Sequence, residues 1–247
     1  MNDLTDLDRA IYEWQLDVPG FGEEGQKILR NTTALVSRCG GLGGPICFSL
    51  AAAGFKKIII AHAGDLRLDD LNRQILMRHD GIGNPRTESA AATLAAFNPN
   101  IEVETVGENI TEENAADLVG RADLVFGAAP LFEERLLMNR ECVRQNKPFV
   151  DSAMYNLEGR VIPIVPGQSA CLACLYPEIP PNWKRRFPVI GAVSALAAQI
   201  GVLEGIKVLT GLGTANLNRM IYFDTASMRF QNIELKRNPE CEICGNL

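Results

Sequence analysis

The sequence predicts an α/β fold: a doubly wound, Rossmann-like, mostly parallel sheet, with an antiparallel C-terminal extension and a four-cysteine zinc knuckle. Three observations predict it. Short apolar or β-branched runs alternate with helical stretches from Thr33 to Val150, the signature of right-handed βαβ units. A glycine cluster, Gly40-Gly41-Leu42-Gly43-Gly44, follows the first run at once. Two C-x-x-C pairs, Cys171/Cys174 and Cys241/Cys244, stand far apart in the second half.

The elements follow in order. The first thirty residues are polar and end in a short helical stretch, Glu23 to Arg30. Thr33 to Val36 is a first strand. After the glycine cluster, Ile46 to Ala53 is apolar with small residues and reads as a helix closed by Gly54. Lys57 to Ala61 is a continuous apolar run, as in a strand covered on both faces. Thr87 to Phe97 is an alanine-rich helix stopped at Asn98-Pro99, and Ile101 to Val106 alternates as a strand does. Glu112 to Val119 is helical, Asp123 to Phe126 a buried strand, Phe132 to Gln145 an amphipathic helix and Pro148 to Val150 a strand. Gly159 to Val165 and Met220 to Leu235 read as longer strands able to pair antiparallel, and Ala192 to Leu209 between them is one apolar helix ending at Gly211.

Composition narrows the function. The chain has 247 residues, 47% of them hydrophobic and 22% charged, which fits a globular core and not a disordered chain. A net charge of −6 gives no electrostatic footprint for nucleic acid. The start is acidic, with no basic or apolar leader, and no apolar run of membrane-spanning length escapes a charge or a turn. Seven cysteines, an odd count, argue against a disulfide framework, so a reduced, cytoplasmic protein without membrane contact is expected. The expected organisation is a single domain over 1–247: an N-terminal arm and helix (1–30), a nucleotide-binding part (31–165), and the knuckle with the C-terminal extension (166–247).

Three constellations carry chemistry. A strand, a glycine loop and a helix make an anion site, because backbone N–H groups and the helix dipole both favour phosphate. The dinucleotide fingerprint is incomplete: Gly40 and Gly43 fit, but Arg38 stands where the first glycine belongs. An arginine there lacks the glycine's backbone freedom, yet it places a guanidinium where a phosphate would lie. The alternative is a tight strand-to-helix turn. His62 stands where a dehydrogenase has an acidic ribose ligand, so an oxidoreductase is disfavoured; a satisfied polar residue at a strand end is the plain alternative. Second, the four cysteines suit a closed tetrahedral thiolate site that ties distant segments together, against two redox pairs or unlinked thiols. Cys39, Cys47 and Cys142 are expected to be buried, Cys39 alone near the likely chemistry. Third, Asp69-Asp70-Leu71-Asn72-Arg73-Gln74 and Gly83-Asn84-Pro85-Arg86 bring two arginines after one strand, which either face a phosphate chain or belong to a solvated loop.

Taken with Gly25-Gln26, Asn98-Pro99, Arg135 with Asn139, Cys171 to Pro177, Glu204 to Lys207 and Asn238 to Gly245, these motifs resemble the ThiF/MoeB/HesA family, the E1-like enzymes related to ubiquitin activators, from about residue 12 to Gly245. The resemblance implies an ATP-dependent adenylyltransferase with magnesium, a structural zinc on Cys171, Cys174, Cys241 and Cys244, and a homodimer. It implies a nucleotide site of Gly40, Gly41, Leu42, Gly43, Arg38, His62, Asp70, Arg73, Gln74 and Arg86, with Arg73 and Arg86 acting on the phosphates. Departures accompany it. Trp14 matches an arginine that reaches into the partner subunit, Arg38 the loop's first glycine and His62 the ribose aspartate. Asp70 matches an asparagine, Arg86 a lysine and Pro130 the magnesium aspartate; the crossover stretch Asn182 to Pro188 has no cysteine. These departures imply a small-molecule carboxylate as substrate, and are similar to those of the HcgE branch, which activates guanylylpyridinol for the [Fe]-hydrogenase cofactor. The alternatives are adenylation of the C-terminus of a ubiquitin-like sulfur carrier, in thiamine or molybdopterin synthesis, and a catalytically inactive nucleotide- or partner-binding subunit.

Overall fold

The computed structural model describes residues 3–180 and 188–247. The polar N-terminal arm contains two helices that its composition does not announce. Thr5 caps α1 (Asp6–Ile11): its hydroxyl accepts the Asp8 N–H, and the Asp8 carboxylate accepts the Thr5 N–H at 2.9 Å. A single turn, α2 (Glu13–Leu16), leads to α3 (Gly22–Arg30). Gln15 and the fully buried Gln26 both donate to the Ala53 carbonyl at 3.0 Å, which fastens the arm to the body.

The alternating section follows: β1 (Thr33–Ser37), α4 (Gly43–Ala53), β2 (Lys57–Ala61), α5 (Arg86–Phe97), β3 (Glu102–Val106), α6 (Ala115–Gly120), β4 (Leu124–Gly127), α7 (Phe132–Arg144) and β5 (Phe149–Tyr155). Then come β6 (Glu158–Ile164), the one-turn α8 (Leu172–Leu175), α9 (Gly191–Thr210), β7 (Arg219–Asp224) and β8 (Arg229–Glu234). All eight strands form one sheet in the order β3-β2-β1-β4-β5-β6-β7-β8. The first five are parallel and the last three antiparallel, as the two halves of the sequence predict.

Strand alternation builds a core on each face. Val36, Ile58, Ile60, Phe126 and Val150 pack with Ile46 and Leu50 of α4 and with Ala198 and Val202 of α9. Leu35, Ile59, Val125, Phe149 and Ile162 face the other way, against α6, α7 and the cysteine knuckle. Helix α9 is long and apolar enough to cross a membrane, but it lies against β5 and β6; its buried Glu204 accepts from the Asn216 N–H at 2.7 Å and from Lys207.

Besides one-residue shifts and the start of α4 at Gly43 in place of Ile46, three boundaries differ from those read in the sequence. Helix α6 starts at Ala115, not Glu112, because the Asn114 side chain accepts the Thr111 N–H at 2.8 Å and holds the preceding turn. β5 runs past Val150 to Tyr155, paired along its whole length with β6. Met220 to Leu235 is a hairpin and not one strand: Asp224 accepts from the Ala226 N–H and the Ser227 hydroxyl, and Met228 takes φ 53° to close the turn.

The chain leaves β1 toward β2 and β3 and returns to β4 and β5 on the other side. The crevice beyond the C-terminal ends of β1 and β4 is therefore the topological switch point, where ligands bind in such sheets.

Candidate functional site

The glycine loop lies at that switch point. Its first residue, Arg38, has φ 70°. This corrects the expectation that an arginine cannot follow the glycine's backbone there. Two anchors offset a local strain of about 1–3 kcal/mol: the Arg38 N–H donates to Ala61 O at 2.7 Å, and its guanidinium pairs with Glu134 in the first turn of α7, Nε to Oε2 at 3.0 Å. The buried Arg38 charge is thereby matched by a carboxylate, and the pair braces the loop against α7. Gly43 cannot be replaced at this fold: a Cβ there would stand 1.7 Å from Arg38 O. No side chain caps α4, whose first residue is Gly43, so its N-terminal N–H groups and dipole favour an anion.

His62, directly after β2, closes the loop from below. The Cys39 N–H donates to His62 Nδ1 at 3.2 Å, with the Cys39 thiol 3.3 Å from the same nitrogen. A backbone N–H only donates, so Nδ1 is the acceptor and the neutral ring carries its proton on Nε2. Burial pushes the Cys39 thiol up to about 12, which makes it an inert packing group. Cys39, Cys47 and Cys142 are all fully buried.

The arginine segment folds around one carboxylate. A 3-10 turn at Leu68–Asp70 puts Asp70 in the interior, 1% exposed. Its Oδ2 accepts from Arg86 Nη2 at 2.7 Å, Arg86 Nε at 3.2 Å and the Arg67 N–H at 3.1 Å. Its Oδ1 accepts from Gln74 Nε2 at 2.6 Å and from Arg73 Nη2 at 3.3 Å. Burial presses the Asp70 pKa upward, but the Arg86 and Arg67 hydrogen bonds and the Arg86 and Arg73 charges outweigh it and hold the group below its ordinary value. Two guanidiniums on one carboxylate leave a net positive charge. Among the described residues, Gln74 Oε1 is buried without a hydrogen-bond partner, and Gln74 Nε2 lies 3.8 Å from where a Gly40 Cβ would stand. A side chain at Gly41 would press on the Arg73 stem at 3.2 Å and on Ser194 Oγ of α9 at 3.1 Å. The start of α9 is as close: a Cβ on Gly191 would meet Asn72 O at 2.8 Å. The uncapped starts of α4 and α9 and the Arg73 segment thus meet at Gly40 and Gly41.

The remaining predicted positions are as follows. At the end of β4, Ala128 N–H donates to Ser37 Oγ at 2.9 Å, and Pro130 follows. Two carboxylates flanking that end are taken, Glu134 by Arg38 and Asp151 by Arg135, while Glu133 is exposed. Trp14 is 87% exposed on α2. Of the crossover stretch 182–188, residues 182–187 lie outside the described residues.

Cys171, Cys174, Cys241 and Cys244 come together with all four sulfurs within 4.8 Å of one another. The separations are 3.4 Å for Cys174–Cys244, 3.8 Å for Cys171–Cys241 and 4.0 Å for Cys171–Cys174. A tetrahedral thiolate site with metal–sulfur bonds of about 2.3 Å requires sulfurs about 3.8 Å apart, so the donor set fits a metal ion. None of the seven cysteines is in a disulfide. Burial pushes the Cys171 and Cys244 thiols up, so a cation among the four sulfurs is what would hold them as thiolates. Asn139 supports the cluster by accepting the Leu172 N–H at 2.8 Å.

Sequence reasoning passed over several functional-site residues. Glu134 lies inside an amphipathic helix pattern, and its partner Arg38 is 96 positions away. Gly191 and Ser194, which pack on the loop, sit in an ordinary apolar helix start. Asp151, fully buried, holds Arg135 Nε at 2.8 Å, and a D-S-A strand carries no local sign of that pairing.

A doubly wound sheet with a glycine loop, an uncapped helix start and paired arginines at its switch point defines a nucleotide-binding α/β protein. The chain belongs to the ThiF family, whose match spans residues 12–243. It is 43% identical to protein HesA of Leptolyngbya boryana over 247 residues, covering all of this chain and 89% of that one. It is 32% identical to the sulfur carrier protein adenylyltransferase of Thermus thermophilus over 250 aligned positions, covering 98% of this chain and 92% of that one. Among solved structures, Escherichia coli MccB with MccA-N7isoASN superimposes with a TM-score of 0.86 at 24% identity over 99% of this chain and 76% of that one. MccB with ATP gives 0.79 at 24% identity over 90% and 69%. At this identity the MccB structures establish a shared fold.

Proposed function

We propose that this protein adenylates a carboxylate at the expense of ATP. The observation that carries the proposal is the cation pair Arg73 and Arg86, gathered on Asp70 beside the glycine loop and two helix starts. The triphosphate lies over Gly40 to Gly43, with Arg73 and Arg86 drawing on its negative charge. A carboxylate oxygen of the substrate attacks the α-phosphorus; the new C–O–P bond forms as the bond to pyrophosphate breaks, and pyrophosphate leaves with that electron pair. The protein aligns the two anions and spreads positive charge where the leaving group develops. His62 stands at the strand end that faces the ribose in such sheets. Magnesium would come with the ATP phosphates and would neutralise part of their charge; Glu134 and Asp151, both paired, would not hold it.

A sulfur carrier protein is the acceptor favoured by the similarity to the Thermus enzyme. A small-molecule carboxylate such as guanylylpyridinol is the second reading, favoured by Trp14, Asp70, Arg86 and Pro130. ATP–pyrophosphate exchange tests the function. Exchange stimulated by a carrier protein ending in Gly-Gly supports the first acceptor, and exchange stimulated by a free acid supports the second. Silence with both, despite ATP binding, rejects the enzyme reading and leaves a nucleotide-binding subunit.

The four cysteines hold a structural zinc, with no open position for substrate. One equivalent of metal per chain is expected. Cys174→Ser is expected to lose it and to melt at lower temperature; a metal-free wild type that melts normally contradicts this. Pairing of two copies, which the family resemblance implies, is part of the proposal; Leu7, Ile11 and Trp14 of the N-terminal arm are exposed and available to it.

A further inference from the structure

We propose that Arg160 is the seat of a second anionic group, a carboxylate or phosphate that does not react, on the substrate whose other carboxylate is adenylated. The inference rests on the adenylation reading above and names a feature of the substrate.

Arg160 lies on β6 opposite Ala153 of β5 and Tyr222 of β7, toward the C-terminal end of β5. Its guanidinium carbon is 4.9 Å from the Tyr176 ring centre and 5.8 Å from that of Phe132, whose rings pack edge-on at 4.9 Å. These two rings fix it in place. Its Nε is buried and has no hydrogen-bond partner among the described residues. Among the described residues, Arg160 is in no ion pair. Asp151 holds the neighbouring Arg135 through two nitrogens. The cluster of Arg135, Asp151 and Arg160 therefore carries one unmatched positive charge. Burial and then the Arg135 charge press the Arg160 pKa below the usual guanidinium range, with Asp151 and Tyr176 opposing. A half-buried cation whose Nε finds no partner among the described residues, held between two rings, is a site suited to an anion.

Its position joins it to the nucleotide site. Residues 128–135 touch the glycine loop through Ser37 and Arg38, and touch Arg160 through Phe132. An anion on Arg160 thus belongs to a molecule lying along the same switch-point crevice. The reacting carboxylate is a poor occupant. It loses its charge as the acyl-adenylate forms, so a cation bound to it holds back the ground state more than the transition state. A group that stays charged throughout gains from Arg160 in both states and serves to position the substrate.

The test uses the full chain saturated with the ATP analogue AMPCPP, titrated calorimetrically with succinate, phosphonoacetate and acetate. Wild type is expected to bind one or both dianions at least tenfold more tightly than acetate; succinate preferred indicates a carboxylate, phosphonoacetate a phosphate. Arg160→Gln is expected to erase that preference, and Arg160→Lys to retain part of it. Melting curves establish that each variant is folded. No dianion preference in the wild type, or an undiminished preference in folded Arg160→Gln, overturns the proposal; a lowered melting temperature alone would make Arg160 a strut for Tyr176. The outcome is independent of exchange. Dianion binding that needs Arg160 in a protein silent for exchange would leave this seat standing while the adenylation reading fell.

Discussion

Asp151→Ala is expected to destabilise the protein by about 3–5 kcal/mol, because it strands a buried guanidinium. Arg135 is 1% exposed, and both Asp151 oxygens are spent on it. Nothing else among the described residues pairs with the Arg135 charge. Its other neighbours are the Phe132 ring, 4.8 Å from the guanidinium carbon, and Arg160, which is also positive. Removing the carboxylate therefore adds repulsion to lost attraction. For a chain of this length the loss corresponds to a fall in Tm of roughly 6–20 °C. Replacing the pair together, as Arg135→Met with Asp151→Leu, is expected to recover most of it, since an apolar pair of similar volume bears no desolvation cost. Urea unfolding of the two variants checks both statements. A loss below about 1 kcal/mol in Asp151→Ala, the range of an exposed pair, would show that water reaches Arg135.

Asp70→Asn is expected to weaken ATP binding at least tenfold while leaving the chain folded. Two effects compete. Removing a negative charge beside the phosphates favours ATP; losing the acceptor that aims Arg73 and Arg86 opposes it. Hydrogen bonds to charged groups contribute about 1.5–3 kcal/mol each, and Asp70 accepts them from two guanidiniums and Gln74, whereas an amide oxygen takes fewer and its NH2 faces donors. Positioning therefore outweighs charge. Tighter ATP binding by the variant would mean that Asp70 is only a brake on the cations. The same carboxylate sets an acid limit. Its folded pKa lies below its unfolded value, so its stabilisation is complete above the unfolded value and is lost as pH falls through the lower one. Unfolding midpoints followed from about pH 6 to about pH 2 should fall more steeply in the wild type than in Asp70→Asn.

Local patterns made most of the fold legible. β1, the glycine turn and α4 are contiguous in the chain, and so are α9 and its terminal Gly211; period and punctuation suffice for such units. The cysteine pairs were equally legible, because C-x-x-C twice admits one compact arrangement. What escaped depends on distant partners. The left-handed Arg38 is held by Ala61 and Glu134, neither of them sequence neighbours. Arg73 and Arg86 were named from the sequence, but Asp70 as the group that gathers both emerges only once α5 packs beside the 3-10 turn. The β7–β8 hairpin was merged into one strand because its turn, Thr225-Ala226-Ser227, has no glycine or proline; the Asp224 side chain closes it instead.

The central claim is that the cations beside the glycine loop seat the triphosphate of ATP. Calorimetric titration of the full chain with ATP and magnesium, at low and moderate salt, tests it most directly. The structure predicts one saturable site per chain, salt-sensitive, weakened at least tenfold in Arg73→Ala and unchanged in Arg140→Ala, whose guanidinium pairs with Glu112 on the surface. No saturable binding, or binding that Arg73→Ala leaves intact, would contradict it.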